Sequence, residues 1–305
     1  MAKIVIIGNS AAGFSCCSNL LNKSRDNEIT IISRENYPAY KRNLLIDYLS
    51  DTIKEEELFL SGEDFYKQNN LSLLKNSKVS AVDTKKQRVV LKDNTKVNYD
   101  YLVIASGQKI DLPDIPGKTK EGIFVVYDLE DIKNIKQRLM ISDTVCIIGE
   151  PRICLRLLEA MAKKNKEFKV VSKPRPESAL PQDKIEWIDG CELVELIGEG
   201  AELRALKLSN GKAIGTSLVL FAGIYSPCGE FLKDSGIKTG ENYILVNDGM
   251  QTNFENVFAC GAIARNEKFL DKEKSWEDAV NEGALAADSL IKSMERMKML
   301  CQKIS

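Results

Sequence analysis

The opening thirty or so residues constrain this chain more than anything else in it. Lys3-Ile-Val-Ile-Ile7 is a short β-branched run ended by glycine, the pattern of a strand buried on both faces of a parallel sheet. Gly8-Asn-Ser10-Ala11-Ala12-Gly13 follows, then a helical stretch over 11 to about 21 and a second strand, Glu28–Ile32. Strand, helix and strand of these lengths make a βαβ unit, which commits the chain to an α/β fold. In the loop, Gly8 permits the tight turn. Ser10 keeps the middle position small enough for backbone to approach a pyrophosphate, and Gly13 lets helix and strand pack closely. The helix start, with its free N–H groups and positive dipole end, suits phosphate.

The middle of the chain repeats this plan. An apolar strand over 144–148 ends at Gly149, a helix is expected over 153 to about 164, and a strand over 169–172. Two nucleotide-binding-like units are therefore expected, with Pro113, Pro116 and Gly117 punctuating the chain between them. Before that boundary, 37–48 reads as a loop entering a helix, with short helical pieces over 55–58 and 62–69. Val79–Asp83 and 87–91 read as a hairpin, and 100–107 as a buried strand ending in glycine. Beyond the second unit, strands are expected over 185–197, 203–208, 218–222, 244–246 and 257–259, and a long helix over 276 to about 298.

Composition narrows the chemistry. At about 150 residues per domain, 305 residues suggest two domains. The sequence contains no histidine, which removes Ser-His-Asp and Cys-His catalysis, histidine proton shuttles and histidine-ligated metals. Cys16, Cys17, Cys146, Cys154, Cys191, Cys228, Cys260 and Cys301 include no C-x-x-C pair, so buried structural thiols are expected and no metal site. The net charge of −1 argues against a nucleic-acid or anionic-membrane binder. No apolar run approaches the roughly 20 residues of a membrane span, and the apolar start runs straight into a glycine loop rather than a signal-peptide cleavage site. A cytoplasmic location is the resulting expectation.

Three residue sets together resemble the pyridine nucleotide-disulfide oxidoreductase superfamily, in the branch of NADH:rubredoxin reductases, ferredoxin reductases and nitrite reductase flavin domains. They are Ile4-Val-Ile-Ile-Gly8-Asn-Ser-Ala-Ala-Gly13, Glu35-Asn-Tyr-Pro-Ala-Tyr40-Lys-Arg42, and Tyr99-Asp-Tyr-Leu-Val-Ile-Ala105-Ser106-Gly107 followed by Ile115-Pro116-Gly117. The likeness extends to about residue 290. It implies two Rossmann-like nucleotide-binding domains, the second inserted into the first. Residues 1–110 and 244–305 would bind FAD, and 111–243 would form a degenerate NAD(P)-binding-like domain. By the resemblance, Gly8, Ser10, Ala11, Ala12 and Gly13 would hold the FAD pyrophosphate. Arg42 would face the pyrophosphate or flavin edge, and Val79 would meet adenine through its backbone. Ala105, Ser106 and Gly107 would close the second FAD motif, and Trp276 and Ala279 would approach the flavin pyrimidine end. Asn43 stands where NADH oxidase and peroxidase relatives carry a redox cysteine.

The departures from the pattern matter as much. The acidic residue that binds the adenosine ribose falls at Ser33 or Arg34, with Glu35 the nearest carboxylate. The Gly-Asp that holds the ribityl chain reads Gly261-Ala262, without the Asp. In the second glycine loop, Gly149-Glu-Pro-Arg-Ile-Cys154, Pro151 lacks an N–H, Glu150 brings negative charge, and Cys154 replaces a glycine. Lys173 and Arg175 follow the next strand, where a 2′-phosphate would bind, or they form a solvated face. NAD(P)H is therefore expected to bind poorly or not at all.

The run over 291–305, with Met294, Met297 and Met299, reads as helical core plus solvated face, or as a partner-docking surface. The chain stops where many relatives add a dimer-forming domain. The expectation is an FAD-dependent oxidoreductase exchanging electrons with a ferredoxin-like or rubredoxin-like protein or a larger redox complex. A non-catalytic flavoprotein subunit and an ordinary NAD(P)H-dependent reductase are the alternatives.

Overall fold

Strand β1 (Lys3–Ile7) runs through the glycine loop into helix α1 (Ala11–Lys23) and on to β2 (Glu28–Ile32). Helices α2 (Leu45–Leu49) and α3 (Glu63–Gln68) precede β3 (Ser72–Leu74), β4 (Val79–Asp83), β5 (Arg88–Leu91), β6 (Lys96–Asn98) and β7 (Tyr101–Ile104). β8 (Gln108–Ile110), β9 (Ile123–Val125) and α4 (Leu129–Ile141) lead into the second βαβ unit: β10 (Thr144–Gly149), α5 (Pro151–Met161) and β11 (Glu167–Val171). Then come β12 (Ile185–Ile188), β13 (Leu193–Glu199), β14 (Glu202–Leu208), β15 (Ala213–Gly215), β16 (Leu218–Ala222) and β17 (Tyr225–Pro227). β18 (Ile244–Val246), β19 (Val257–Ala259), β20 (Ala264–Asn266) and α6 (Trp276–Ile304) complete the chain. This computed structural model describes residues 1–172, 184–223, 225–240, 243–266 and 274–304, without the side chains of 301–304. Lys173, Arg175 and Ser305, singled out in the sequence, lie outside the described residues.

The chain divides into two compact units, residues 1–41, 59–108 and 227–305 in the first and 42–58 and 109–226 in the second. Each contains a five-stranded parallel sheet. In the first unit the order is β19-β7-β1-β2-β3, and in the second it is β12-β11-β10-β16-β9. The first strand of each βαβ unit is thus central, with its partner through the helix on one side and a later strand on the other. Such a reversal of strand order opens a crevice at the carboxyl ends of the strands. The apolar runs are buried as a parallel sheet requires: Ile4, Ile6, Leu102, Val103 and Ile104 are fully inaccessible in the first unit, as are Val145, Ile147 and Val219 in the second.

The structure departs from the sequence expectation in several places. Residues 227–243 group with the first unit and 42–58 with the second. The latter has a clear cause. Leu49 and Leu58 are fully buried there. Glu55 pairs with Lys133 at 2.7 Å, Asp51 with Lys136 at 2.6 Å, and the Lys136 ammonium lies 4.0 Å from the Tyr48 ring centre. The single strand expected over 185–197 is two strands in different sheets. Gly190, at φ +71°, turns the chain between them, so β12 joins the parallel sheet and β13 pairs with β14. Helix α4 was not expected. Its Asp128 and Asp131 form a reciprocal capping box, and Leu129, Ile132, Ile135 and Leu139 make its buried stripe. The last helix continues to Ile304, beyond the expected end near 298.

Candidate functional site

In the first unit the crevice lies where β1 and β7 end side by side. Gly8 has φ +110°, and a Cβ there would stand 2.1 Å from the Ala105 carbonyl oxygen. A Cβ on Gly13 would stand 2.0 Å from the Gly8 oxygen. Both distances are impossible for a side chain, so the two glycines allow strand, loop and helix to interlock. Ser10 is extended (φ −125°, ψ −158°), and its hydroxyl makes no capping bond to α1. The first-turn N–H groups have no acceptor within the helix, so this terminus is left to an anion. Gly261, at φ +76°, closes in from the return segment. A Cβ on it would lie 2.9 Å from the Ala12 Cβ and 3.9 Å from the Ala279 Cβ. Gly8, Ser10–Gly13, Ala105, Gly261 and Ala279 are thus brought together around one helix start. The site fits a dinucleotide pyrophosphate: close backbone approach, small residues and an uncapped helix terminus.

The remaining expected residues are placed as follows. Ser33 is buried at the end of β2, and its hydroxyl accepts from Glu35 N at 3.2 Å. The Glu35 carboxylate accepts from the Tyr40 hydroxyl at 2.5 Å, while Arg34 is exposed. Val79 is buried at the start of β4. Ser106 donates to the Cys228 carbonyl (2.8 Å) and Gly107 accepts from Cys228 N (3.0 Å), pinning the end of β7 to the return segment. Ala262 sits in a short 3-10 turn, Gly261–Ile263, with its carbonyl accepting from Arg265 at 3.2 Å. Trp276 is half-buried at the first position of α6. Arg42 and Asn43 fall in the second unit, where Arg42 lies 4.5 Å from the Tyr127 ring centre and donates to the Tyr127 carbonyl at 2.8 Å; Asn43 is exposed.

Two features of this site escaped the sequence reading. Tyr66, buried on α3, accepts from Ala39 N (3.0 Å) and bonds the Asn9 amide (3.0 Å), fastening the glycine loop to the segment around Ala39. Nothing in the local pattern marks it. Lys274 and Glu282 form an ion pair of 2.7 Å against the Gly261 turn. Here a signal existed: Gly283 lies inside a helix, where glycine costs about 1 kcal/mol relative to alanine and so points to close backbone approach. A Cβ on Gly283 would stand 2.2 Å from the Ala12 oxygen.

The second unit uses the same plan differently. Gly149, at φ +148°, interlocks with β16: a Cβ on it would lie 1.8 Å from the Ala222 oxygen. The helix then starts two residues after that glycine, at Pro151, whereas α1 starts three residues after Gly8. Glu150 is the cap residue, and its carboxylate accepts from Ile153 N at 2.9 Å. A carboxylate at the cap and proline at the first position are both favourable for the helix. Together they fill the anion position with the chain's own charge. Cys154, matching Gly13 in the loop, is fully buried.

The five fully buried cysteines, Cys16, Cys17, Cys146, Cys154 and Cys260, are poor nucleophiles. Burial pushes Cys17, Cys146, Cys154 and Cys260 up to about 12, and Cys16 well above its ordinary value. A thiolate nucleophile requires the opposite shift. Among the described residues, no helix is long and apolar enough to cross a membrane.

The pyridine nucleotide-disulphide oxidoreductase family matches residues 2–283. An NADH oxidase of Methanocaldococcus jannaschii is 27% identical over 94% of this chain and 70% of its own length. An NADH-rubredoxin oxidoreductase of Clostridium acetobutylicum is 27% identical over 86% of this chain and 68% of its own. Among solved structures, the covalent putidaredoxin reductase–putidaredoxin complex superposes with a TM-score of 0.86 at 21% identity, covering 95% of this chain and 75% of that one. This chain belongs to the pyridine nucleotide-disulphide oxidoreductase family, a family of FAD-dependent oxidoreductases.

Proposed function

From that membership, we propose that the protein binds FAD in the first unit and passes electrons between the flavin and an iron-sulfur or rubredoxin-like protein. The observation that carries the reading is the open terminus of α1, with Gly8 and Gly13 interlocked against Ala105. Bound FAD would supply the redox chemistry; the protein binds and orients it. Ala11, Ala12 and Gly13 would face the pyrophosphate, Ser33 or Glu35 the adenosine ribose, and Val79 the adenine. Ser106, Gly107, Ala262, Trp276 and Ala279 would shape the ribityl and pyrimidine end. A role for Arg42 or Asn43 toward the flavin rests on the resemblance alone. The choice of partner is supported by the relatives, one an NADH-rubredoxin oxidoreductase and one solved in complex with putidaredoxin.

In this reading NAD(P)H is a poor electron donor, because Glu150 occupies the helix terminus at which its pyrophosphate would sit. A second reading, an ordinary NADH-dependent reductase, is favoured by two relatives, an NADH oxidase and an NADH-rubredoxin oxidoreductase. Two measurements test the proposal. Purified protein should carry about one FAD per chain, as expected of one open dinucleotide site. Apoprotein that takes up no flavin from excess FAD refutes it. In anaerobic stopped-flow, dithionite or a reduced iron-sulfur protein should reduce the flavin much faster than NADH or NADPH. Full reduction within seconds at sub-millimolar nicotinamide returns the protein to the second reading.

A further inference from the structure

The turn Gly261–Ile263 meets the start of α1, yet it lacks the carboxylate that the resemblance expects at position 262. What holds it in place comes from elsewhere in the unit. The Glu282 carboxylate, on α6, accepts from the Gly261 N–H at 2.8 Å. Lys274 donates to that carboxylate at 2.7 Å, to the Gly261 carbonyl at 3.1 Å and to the Ala264 carbonyl at 2.6 Å. The lysine's three hydrogens are all used, and the side chains of the pair are only 10% and 19% exposed. On its other side the turn is in contact with the helix start, since a Cβ on Gly261 would come within 2.9 Å of the Ala12 Cβ. The helix carrying Glu282 touches the same residue, Gly283 lying against the Ala12 carbonyl, and Ser15 donates to the Val280 carbonyl at 2.7 Å. The 261–264 turn and α6 therefore converge on Ala12, the middle residue of the three whose N–H groups form the open terminus, and one carboxylate joins the two.

We propose that Glu282 is a positioning residue for the flavin cofactor: by accepting from Gly261 N–H, with Lys274 holding it in place, it fixes the 261–264 turn against the first turn of α1 and so sets the shape of the dinucleotide cradle. This rests on the FAD reading above. The essential contact is the acceptor on Gly261 N–H, not the charge. A buried N–H of a left-handed glycine has no other way to remain both satisfied and in this place.

The test is an FAD titration of refolded apoprotein, followed by flavin fluorescence, with melting of each apoprotein and the flavin absorption band recorded alongside. Glu282→Gln keeps an acceptor within reach of Gly261 N and should bind FAD within about threefold of wild type. Glu282→Ala removes the acceptor and should weaken binding by roughly tenfold or more, as expected for a buried N–H left unpaired. It should also shift the absorption band of whatever flavin is bound. If Glu282→Ala does not fold, Glu282→Asp takes its place, because it withdraws the carboxylate by about one carbon–carbon bond and should weaken FAD in the same direction. A lower melting temperature with an unchanged FAD dissociation constant and an unchanged band overturns the proposal, since the pair would then be structural only. Equal losses in Glu282→Gln and Glu282→Ala also overturn it, because the charge would then be what matters. Wild-type protein that binds no FAD refutes the cofactor reading instead, so the two failures are distinguishable.

Discussion

The two βαβ units of this chain solve one packing problem identically and one electrostatic problem oppositely. In both, a left-handed glycine ends the central strand and interlocks with a carbonyl of the neighbouring strand, Ala105 for Gly8 and Ala222 for Gly149. Up to that point the sheets demand the same thing. The next residues diverge. Asn9 and Ser10 lead into α1 without a side-chain cap, whereas Glu150 caps α5 with its own carboxylate and Pro151 takes the first helical position. A helix terminus needs something to meet its free N–H groups. It can leave that to a ligand or satisfy it internally, as Glu150 does for α5. If the proposed reading holds, fold and binding are separable in one chain, at the level of two residues.

The largest effect that tests this contrast comes from filling the interlocked glycine. Gly13→Val should cost about a hundredfold or more in FAD affinity, because loop, helix and strand must all shift. The flavin-to-protein absorbance ratio after desalting reads it. Its counterpart in the second unit, Cys154→Ala, creates no clash and should leave flavin content unchanged at about 1 kcal/mol of stability. Opening the closed terminus should have the next largest effect. At an effective dielectric near 20, two unit charges about 4 Å apart repel by about 4 kcal/mol before solvent screening. Glu150→Ser with Pro151→Gly retains a cap and restores an N–H, and should raise NADH affinity about tenfold or more. An NADH titration monitored by flavin reduction would show it. An unaltered response would mean that the carboxylate is not what closes the second unit.

A smaller gain is expected where the open site is incomplete. Ala262→Asp adds one charged acceptor near the cradle, worth about 1–2 kcal/mol, or five- to thirtyfold in the FAD dissociation constant. Equilibrium dialysis of apoprotein against FAD would measure it.

The last and smallest effect widens the comparison to a third helix start. α4 is capped by two carboxylates, Asp128 and Asp131, and burial together with the Asp128 charge raises Asp131 from 3.8 to about 7. The folded protein holds this proton more tightly than the unfolded chain does. Its contribution to stability is therefore fully present below about pH 4, declines as pH rises to about 7, and is flat above that. Urea midpoints for wild type and Asp131→Asn across this range give the term as a difference. Carboxylates whose protonation is depressed, such as Asp51 beside Lys136, slope the other way and cancel between the two proteins.

What could be read from the sequence follows from how local each signal is. β1, β2, β4, β18 and β19 have the expected bounds because β-branched runs ended by glycine or a turn carry their own period. The glycine loop of α1 was legible because its demand for small residues is steric and local. The break between β12 and β13 was not, since both halves alternate well enough to pass for one strand and the turn signal at Asp189-Gly190 was outweighed by that alternation. Helix α4 was missed although its capping box was visible, because its charged residues diluted the apolar stripe. The transfer of 42–58 to the second unit depends on ion pairs such as Glu55 with Lys133, which no spacing reveals. For the same reason Tyr66 stayed hidden, and Lys274 and Glu282 were marked only indirectly, by Gly283 inside a helix: each acts on backbone distant in sequence.

The buried thiols make this chain its own reporter of unfolding. Cys16, Cys17 and Cys260 are sealed in the first unit, Cys146 and Cys154 in the second, and all five are fully inaccessible, whereas Cys191 and Cys228 are partly exposed. Under native conditions an alkylating reagent should mark the latter two at once and the five sealed sulfurs only when their own unit opens. Peptide mass spectrometry over a time course would then show, without any engineered label or mutation, which half of the protein lets go first and whether bound cofactor delays one half and not the other.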